Sequence, residues 1–167
     1  MTEPHLRIAR PSDSSRIIEI YNHYIANTAI TFDLEPYTEE TRRPWFEAFA
    51  PEGPYRLFVL DVEGVVMGYA SSTRFRKKAA YDTSVETSIY LAHDAVGRGF
   101  GRHLYGKLLK TLEAEPMLHR AYAGVTLPNP RSVAFHESFG FRLIGTYHEV
   151  GFKFGAYHDV AWFERAL

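Results

Sequence analysis

The sequence predicts an α+β domain, with helices layered on a central mixed sheet, and three observations carry the prediction. Strand patterns in the first half come paired as a hairpin, strand and helix patterns alternate in the second half, and no repeat, low-complexity tract or linker divides the chain. Residues 1–167 suit one domain, because a chain of about 150 residues buries roughly 70% of its extended surface on folding.

The elements follow in order. Leu6-Arg7-Ile8-Ala9 alternates as a short strand, and Ser12-Asp13 offers N-cap chemistry before the helical stripe Ile17, Ile18, Ile20, Tyr21 and Tyr24. Thr38-Glu39-Glu40-Thr41 has the form of a capping box opening a second helix to about Phe49, with Pro44 in its first turns. Arg56 to Val62 and Val65 to Arg74 are β-branched and aromatic runs joined by Glu63-Gly64, the pattern of a tight antiparallel hairpin. Thr83 to Leu91 makes a further strand. Leu104, Tyr105, Leu108, Leu109 and Leu112 then recur on one helical face up to Pro116. Ala121 to Val125 reads as a strand, Arg131 to Phe139 as a helix stopped by Gly140, and Arg142 to Val150 with Tyr157 to Arg165 as two closing strands.

Composition removes several kinds of chemistry. With 19 Lys and Arg against 20 Asp and Glu the chain has no global field, so nucleic acid is not expected as a partner. Without cysteine there is no disulfide, thiolate metal site or thiol nucleophile. Met1-Thr2-Glu3-Pro4-His5 lacks a basic segment followed by an apolar one, and apolar runs such as Leu57-Phe58-Val59-Leu60 are too short to span a bilayer. No membrane partner is expected, and the cytoplasm is the expected location. The 12 Phe, 11 Tyr and 2 Trp supply either a core and a self-association surface or an aromatic pocket.

Gly97, Gly99 and Gly101 stand at alternate positions between a strand and an amphipathic helix. Such a loop exposes backbone N–H groups to an anion, and Arg98, Arg102, His103 and Lys107 add donors beside the positive end of the helix dipole. The plainer reading of the glycines is a tight turn. No Lys-Ser/Thr pair follows Gly101, so a P-loop is excluded, and Arg102 stands where a dinucleotide fingerprint needs its third glycine. A pyrophosphate whose chemistry lies elsewhere on the ligand fits better.

The stretch Val96-Gly97-Arg98-Gly99-Phe100-Gly101-Arg102 resembles the acetyl-CoA pyrophosphate loop of the GNAT N-acetyltransferases, usually Q/R-x-x-G-x-G/A. Further segments are similar to the phosphinothricin and methionine-sulfoximine N-acetyltransferase branch: Tyr21 to Ile25, Thr31-Phe32, Glu35-Pro36, Ala80-Tyr81-Asp82, Val85 to Tyr90, Leu127-Pro128-Asn129, Ser132-Val133, His136-Glu137 and Tyr157-His158-Asp159-Val160. They cover almost the whole chain in order. The resemblance implies a twisted, mostly antiparallel mixed sheet with a splayed strand pair that holds acetyl-CoA as co-substrate. It also implies acetyl transfer to the α-amino group of a small amino-acid-like substrate within a ternary complex, no metal, and a homodimer.

On this resemblance the backbone of Ile89, Tyr90 and Leu91 pairs with the pantetheine arm, and the Leu91 N–H points to the thioester oxygen. Gly97, Arg98, Gly99, Phe100, Gly101 and Arg102 hold the pyrophosphate, with Asn129, Ser132 and Ser138 as further contacts to the CoA. Glu86 lies three residues before Ile89, on the other face of the strand, and is the candidate general base; without the resemblance it reads equally well as a solvated strand carboxylate. His136 is the second candidate for proton transfer, as acid or base, where many members have tyrosine; lone helix histidines are more often structural. His136-Glu137 lacks the second histidine of H-E-x-x-H, which excludes a zinc protease. Phe32, Lys78, Ala79, Ala80 and Tyr81 match substrate-facing positions, with Arg74, Arg76 and Lys77 as further cations for a carboxylate. Phe32, Tyr81 and Phe154 suggest a closed pocket, and Trp162 and Phe163 a dimer surface. Several phosphinothricin acetyltransferases have arginine at Lys78 and an aromatic at Ser71, so the acceptor here need not be phosphinothricin. Two other functions remain open: a non-catalytic acyl-CoA sensor, and acetylation of protein lysines or N-termini.

Overall fold

The computed structural model describes residues 4–167, so the reading of Met1 to His5 falls partly outside the described residues. The order is β1 (His5–Ile8), α1 (Ser14–Asn27), α2 (Glu39–Phe46), β2 (Leu57–Val62), β3 (Val65–Arg74), β4 (Ser84–Leu91), α3 (Phe100–Glu113), β5 (Arg120–Thr126), α4 (Pro130–Ser138), β6 (Arg142–Lys153) and β7 (Ala156–Ala166). The strands form one sheet, β1-β2-β3-β4-β5-β7-β6, in which only β4 and β5 run parallel. The expected α+β class and mixed sheet are therefore observed. Among the described residues no helix is long and apolar enough to cross a membrane.

Local chemistry explains most boundaries. Glu63 and Gly64 both have positive φ, 54° and 83°, and Val62 pairs with Val65, which is the two-residue primed turn expected of the β2–β3 hairpin. At α2 the box forms as Thr38 Oγ1 accepts from the Thr41 N–H and Thr41 Oγ1 from the Thr38 N–H. The α-helix contains Pro44 and ends at Phe46 and not near Phe49, because beyond it the Ala48 and Phe49 amides bond three residues back, to the Trp45 and Phe46 carbonyls, as a tightened last turn. Asp13 differs from expectation too. Its carboxylate does not cap α1 but accepts from Arg7 at 2.7 and 2.9 Å and from the Arg10 N–H at 2.7 Å. Burial alone would raise this carboxyl, and those donors overcome it and hold it low.

Helices cover both faces of the sheet. On β4 the Thr87 hydroxyl lies 2.7 Å from the Tyr105 hydroxyl of α3, whereas Tyr90 packs on Tyr21 and Tyr24 of α1 with centroids 5.0 and 5.2 Å away. Thr87 and Tyr90 are three positions apart, an odd offset on a strand, so the two helices lie on opposite faces. Ile17, Ile20 and Ile25 fill one side and Leu104, Leu108 and Leu112 the other, all nearly inaccessible, each contributing about 1.5–3 kcal/mol of burial.

Only Ser84, Val85 and Glu86 of β4 pair with β5, opposite Arg120, Ala121 and Tyr122. Beyond them β4 stays on β3 as far as Leu91, and β5 stays on β7 as far as Thr126, so the sheet opens along one seam. The Ala92 N–H donates to the Met67 carbonyl on the β3 side. By strand alternation the N–H groups of Ile89 and Leu91 therefore point into the opening.

Candidate active site

A cavity of about 460 Å³ occupies this opening, and its wall brings together Phe32, Glu86, Ile89, Tyr90, Asn129, Ser132 and His136. Glu86 is the last residue of β4 still paired with β5, and it shares a face with Ser88 and Tyr90, opposite that of Ile89. Burial pushes its carboxyl up, opposed by the Arg76 guanidinium. Among the described residues no group donates a hydrogen bond to it. It is a partly desolvated carboxylate with its lone pairs free.

His136 is 5% exposed and enclosed by Tyr105, Phe141 and Phe163 at centroid distances of 5.5, 5.6 and 6.2 Å. Its Nδ1 lies 2.8 Å from the Ser132 carbonyl, which can only accept, so the assigned tautomer carries its proton on Nδ1 and leaves Nε2 as an acceptor. Burial lowers its pKa, with the Ser132 carbonyl opposing, which favours the neutral ring. That form has no free N–H to give, which favours accepting a proton over donating one. Asn129 Oδ1 caps α4 by accepting from the Ser132 N–H at 3.1 Å, and the residue lines the cavity. Ser132 Oγ sits 3.3 Å from His136 Nδ1.

The glycine loop lies between Leu91 and α3. Gly97 and Gly99 have φ of 88° and 80°, which other residues rarely adopt. Gly101 is unlike them: it is helical and buried, and a Cβ there would stand 3.5 Å from Leu91 and Phe135 side chains. A methyl there would make only ordinary van der Waals contact, so neither φ nor space requires a glycine at this position. The first amides of α3 have no side-chain cap. Beside them the Arg98 guanidinium lies 4.6 Å from the Phe100 ring centre, and Arg102 donates to Ser138 Oγ at 3.3 Å. The sequence placed this basic group correctly at the strand–helix junction.

The acceptor side is less faithful to expectation. Phe32 is in the wall, but Lys78, Ala79, Ala80 and Tyr81 form an exposed turn that does not line the cavity. Tyr81 touches Phe75 at 6.0 Å, Phe75 touches Trp162 at 6.2 Å, and Trp162 is wall, so the turn stands two ring contacts away. Arg76 is the nearer cation, 5.5 Å from the Trp162 ring centre and close enough to act on Glu86. Phe154 is 64% exposed at the β6–β7 tip and is no part of the pocket. Trp162 lines the cavity and Phe163 is core, so neither forms the expected exposed dimer surface. Sequence reasoning missed Trp162 and Tyr147 as wall residues; the signal for the first was Gly124, where a Cβ would come within 3.3 Å of the indole. It also missed Tyr24, whose hydroxyl donates to the Leu91 carbonyl at 2.7 Å and fixes the end of β4.

A second groove of about 480 Å³ between β1 and α2 contains none of these residues. Among the described residues no group of three or more His, Asp or Glu is arranged to hold a metal ion.

Comparison with known proteins places this geometry. Residues 6–162 match the family described as acetyltransferase (GNAT) domain. The chain is similar to a phosphinothricin N-acetyltransferase of Streptomyces coelicolor, 52% identical over 99% of this chain and 97% of that protein. It is 32% identical to a methionine sulfoximine/methionine sulfone acetyltransferase of Pseudomonas paraeruginosa, over 97% of this chain and 94% of that one. A solved phosphinothricin acetyltransferase of Sinorhizobium meliloti, in complex with AcCoA, superposes with a TM-score of 0.91 at 34% identity, covering 100% of this chain and 89% of that one. The opened β4–β5 seam, the glycine-led helix and these likenesses agree: the chain is an N-acetyltransferase and belongs to the GNAT family.

Proposed function

We propose that the protein transfers acetyl from acetyl-CoA to the α-amino group of a small amino-acid-like substrate, of the methionine sulfoximine or phosphinothricin kind, by direct attack in a ternary complex. The observation that carries this reading is the carboxylate of Glu86, free of donors and raised by burial, at the point where β4 leaves β5. Residues 1–167 act as one catalytic domain, in the cytoplasm.

The chain suits acetyl-CoA. Uncapped amides at the start of α3, two left-handed glycines and Arg98 and Arg102 form a cradle for its pyrophosphate. Ser138 is tied to that cradle through Arg102. The inward N–H groups of Ile89 and Leu91 suit the pantetheine arm, with Tyr90 between them and the Asn129 amide across the seam. Leu91 N–H polarises the thioester carbonyl, the amine loses its proton to Glu86, and attack expels the thiolate. His136 Nε2 takes the second nitrogen proton as the tetrahedral adduct collapses to the amide, and CoA departs as the thiolate. Phe32, Tyr147 and Trp162 surround the acceptor side chain, and Arg76 supplies the cation for its carboxylate, while Lys78, Ala79, Ala80 and Tyr81 stand outside, two ring contacts from the wall. A non-catalytic sensor would gain nothing from an unpaired, partly buried carboxylate, which costs stability.

We further place a homodimer contact on β6. It is an edge strand, and Leu143, Ile144, Tyr147, Val150 and Phe152 on it are all at least half exposed. A monomer by sedimentation would remove that assignment. Direct transfer is tested by varying both substrates: the double-reciprocal lines are expected to intersect with no acetylated protein by mass spectrometry, and parallel lines with an acetyl-enzyme would refute it.

A further inference from the structure

The segment Tyr157-His158-Asp159-Val160 and an irregularity in β6 have no role so far. Opposite β7 the register of β6 moves from Tyr147 with Val160 to Gly151 with His158, so residues 148–150 bulge against Asp159 alone. Asp159 holds the bulge, its Oδ1 accepting from the Glu149 N–H at 2.7 Å and its Oδ2 lying 3.0 Å from His148 Nδ1, while Glu149 takes a φ of 52°. The displaced register sets Gly151 and Lys153 inward together, with Phe152 outward between them.

Both inward residues meet the stretch that carries Phe32. A Cβ on Gly151 would fall 2.2 Å from the Phe32 ring, so the ring lies directly on this glycine. Lys153 is 4% exposed, and its ammonium donates to the carbonyls of Thr31 at 2.8 Å and Asp33 at 2.9 Å, one on each side of Phe32. The Asp33 carboxylate is engaged elsewhere, accepting from the Tyr21 hydroxyl at 2.5 Å, and Tyr21 also bonds Thr31 Oγ1 at 2.6 Å. His158 Nε2 lies 3.1 Å from the Lys153 carbonyl, which fixes the base of the lysine. Residues 28–37 contain no helix or strand, so side-chain bonds hold the stretch: Asn22 at Tyr37, Thr126 at Ile30, and Lys153 on both sides of Phe32.

We propose that Lys153 is a positioning residue for acceptor choice: it pins the carbonyls on both sides of Phe32 and presses the ring onto Gly151, making a fixed wall that limits the acceptor side chain. The inference rests on the acceptor reading above. A methionine at 153 fills the same channel without donating, and the two carbonyls then release the loop.

Lys153→Met is expected to raise the acceptor KM about tenfold or more, with kcat within about threefold and acetyl-CoA affinity unchanged by calorimetry, and to narrow the difference between small and large acceptor side chains. Hydrogen exchange over residues 28–37 rises in the same variant. Since the chain has no cysteine, Lys153→Cys carries a unique thiol. Alkylated with 2-bromoethylamine in denaturant and refolded, it regains an ammonium and is expected to restore the acceptor KM; alkylation with iodoacetamide is not. Gly151→Ala, which displaces Phe32 from the other side, changes acceptor preference with Lys153 intact. Unchanged acceptor KM and unchanged exchange in Lys153→Met would overturn the proposal, as would a fall in kcat alone or failure of the restored ammonium to rescue. If the wild-type protein acetylated no amino acid, the acceptor reading would fail, and the exchange difference would still decide whether Lys153 holds the loop.

Discussion

Replacement of Glu86 by glutamine is expected to lower kcat/KM about 10²- to 10³-fold, the range of general base catalysis, while the thermal midpoint near neutral pH stays level or rises. Both halves come from one fact: burial raises this carboxyl and no donor offsets the desolvation. A carboxylate whose folded pKa lies above its unfolded one stabilises the fold below the unfolded value, and that contribution is lost as pH rises through the folded value. At neutral pH the ionised group is therefore a cost, and the amide removes it. The same raised pKa places the acid limb of the kcat/KM profile: wild-type activity rises with pH as Glu86 loses its proton, and the variant lacks that limb. A variant with full rate would end the assignment of Glu86 as base. A large fall in thermal midpoint would show that the carboxylate has a stabilising partner.

Gly99→Val is expected to weaken acetyl-CoA binding about 100-fold by calorimetry, through strain of at least 1–2 kcal/mol at a left-handed position and displacement of the first α3 amides. Gly99 is the N-cap of α3 with φ of 80°, and it aims N–H groups that no side chain caps. Space is not the difficulty, because nothing lies within 4 Å of an added Cβ; the backbone conformation is. Gly101→Ala is the control. Gly101 has ordinary helical φ and an added methyl would meet neighbours at 3.5 Å, so the change in affinity stays within about threefold. Equal losses in the two variants would mean that crowding, and not the aimed amides, governs the loop.

These expectations draw on a fold that was largely legible in the sequence, because its signals are local. The Glu63-Gly64 turn, the Thr38–Thr41 box and the α3 stripe from Leu104 to Leu112 each depend on residues within a turn or two of one another. Apart from the end of α2, where expectation and structure part it is a distant partner that intervenes. Asp13 was free to cap α1 until Arg7, brought up by β1, claimed its carboxylate. Gly101 belongs by spacing with Gly97 and Gly99, yet it lies inside α3 facing Leu91 and Phe135 with no positive φ, a difference that only tertiary structure shows.

The site divides in the same way. Glu86, His136 and the basic glycine loop were visible as residue types in motifs. The cavity wall was not, since it is assembled from Phe32, Tyr147 and Trp162 on three separated segments, one of them interrupted by a bulge in β6. Period-two reasoning has no means of seeing an insertion that shifts the register beyond Tyr147. Phe154, which aromatic type alone does not distinguish from Phe32, was expected in a pocket that it does not touch.

The function is tested most directly by CoA-thiol release from acetyl-CoA, measured with free methionine sulfoximine, phosphinothricin and methionine and with the tripeptides that begin with these residues. Free amino acids are expected to exceed the tripeptides by at least about 100-fold in kcat/KM, because a site built around a free carboxylate rejects an acceptor that lacks it, and mass spectrometry should place the acetyl group on the α-nitrogen. Equal rates on the tripeptides, or acetyl-CoA binding without release on any free amino acid, would contradict it.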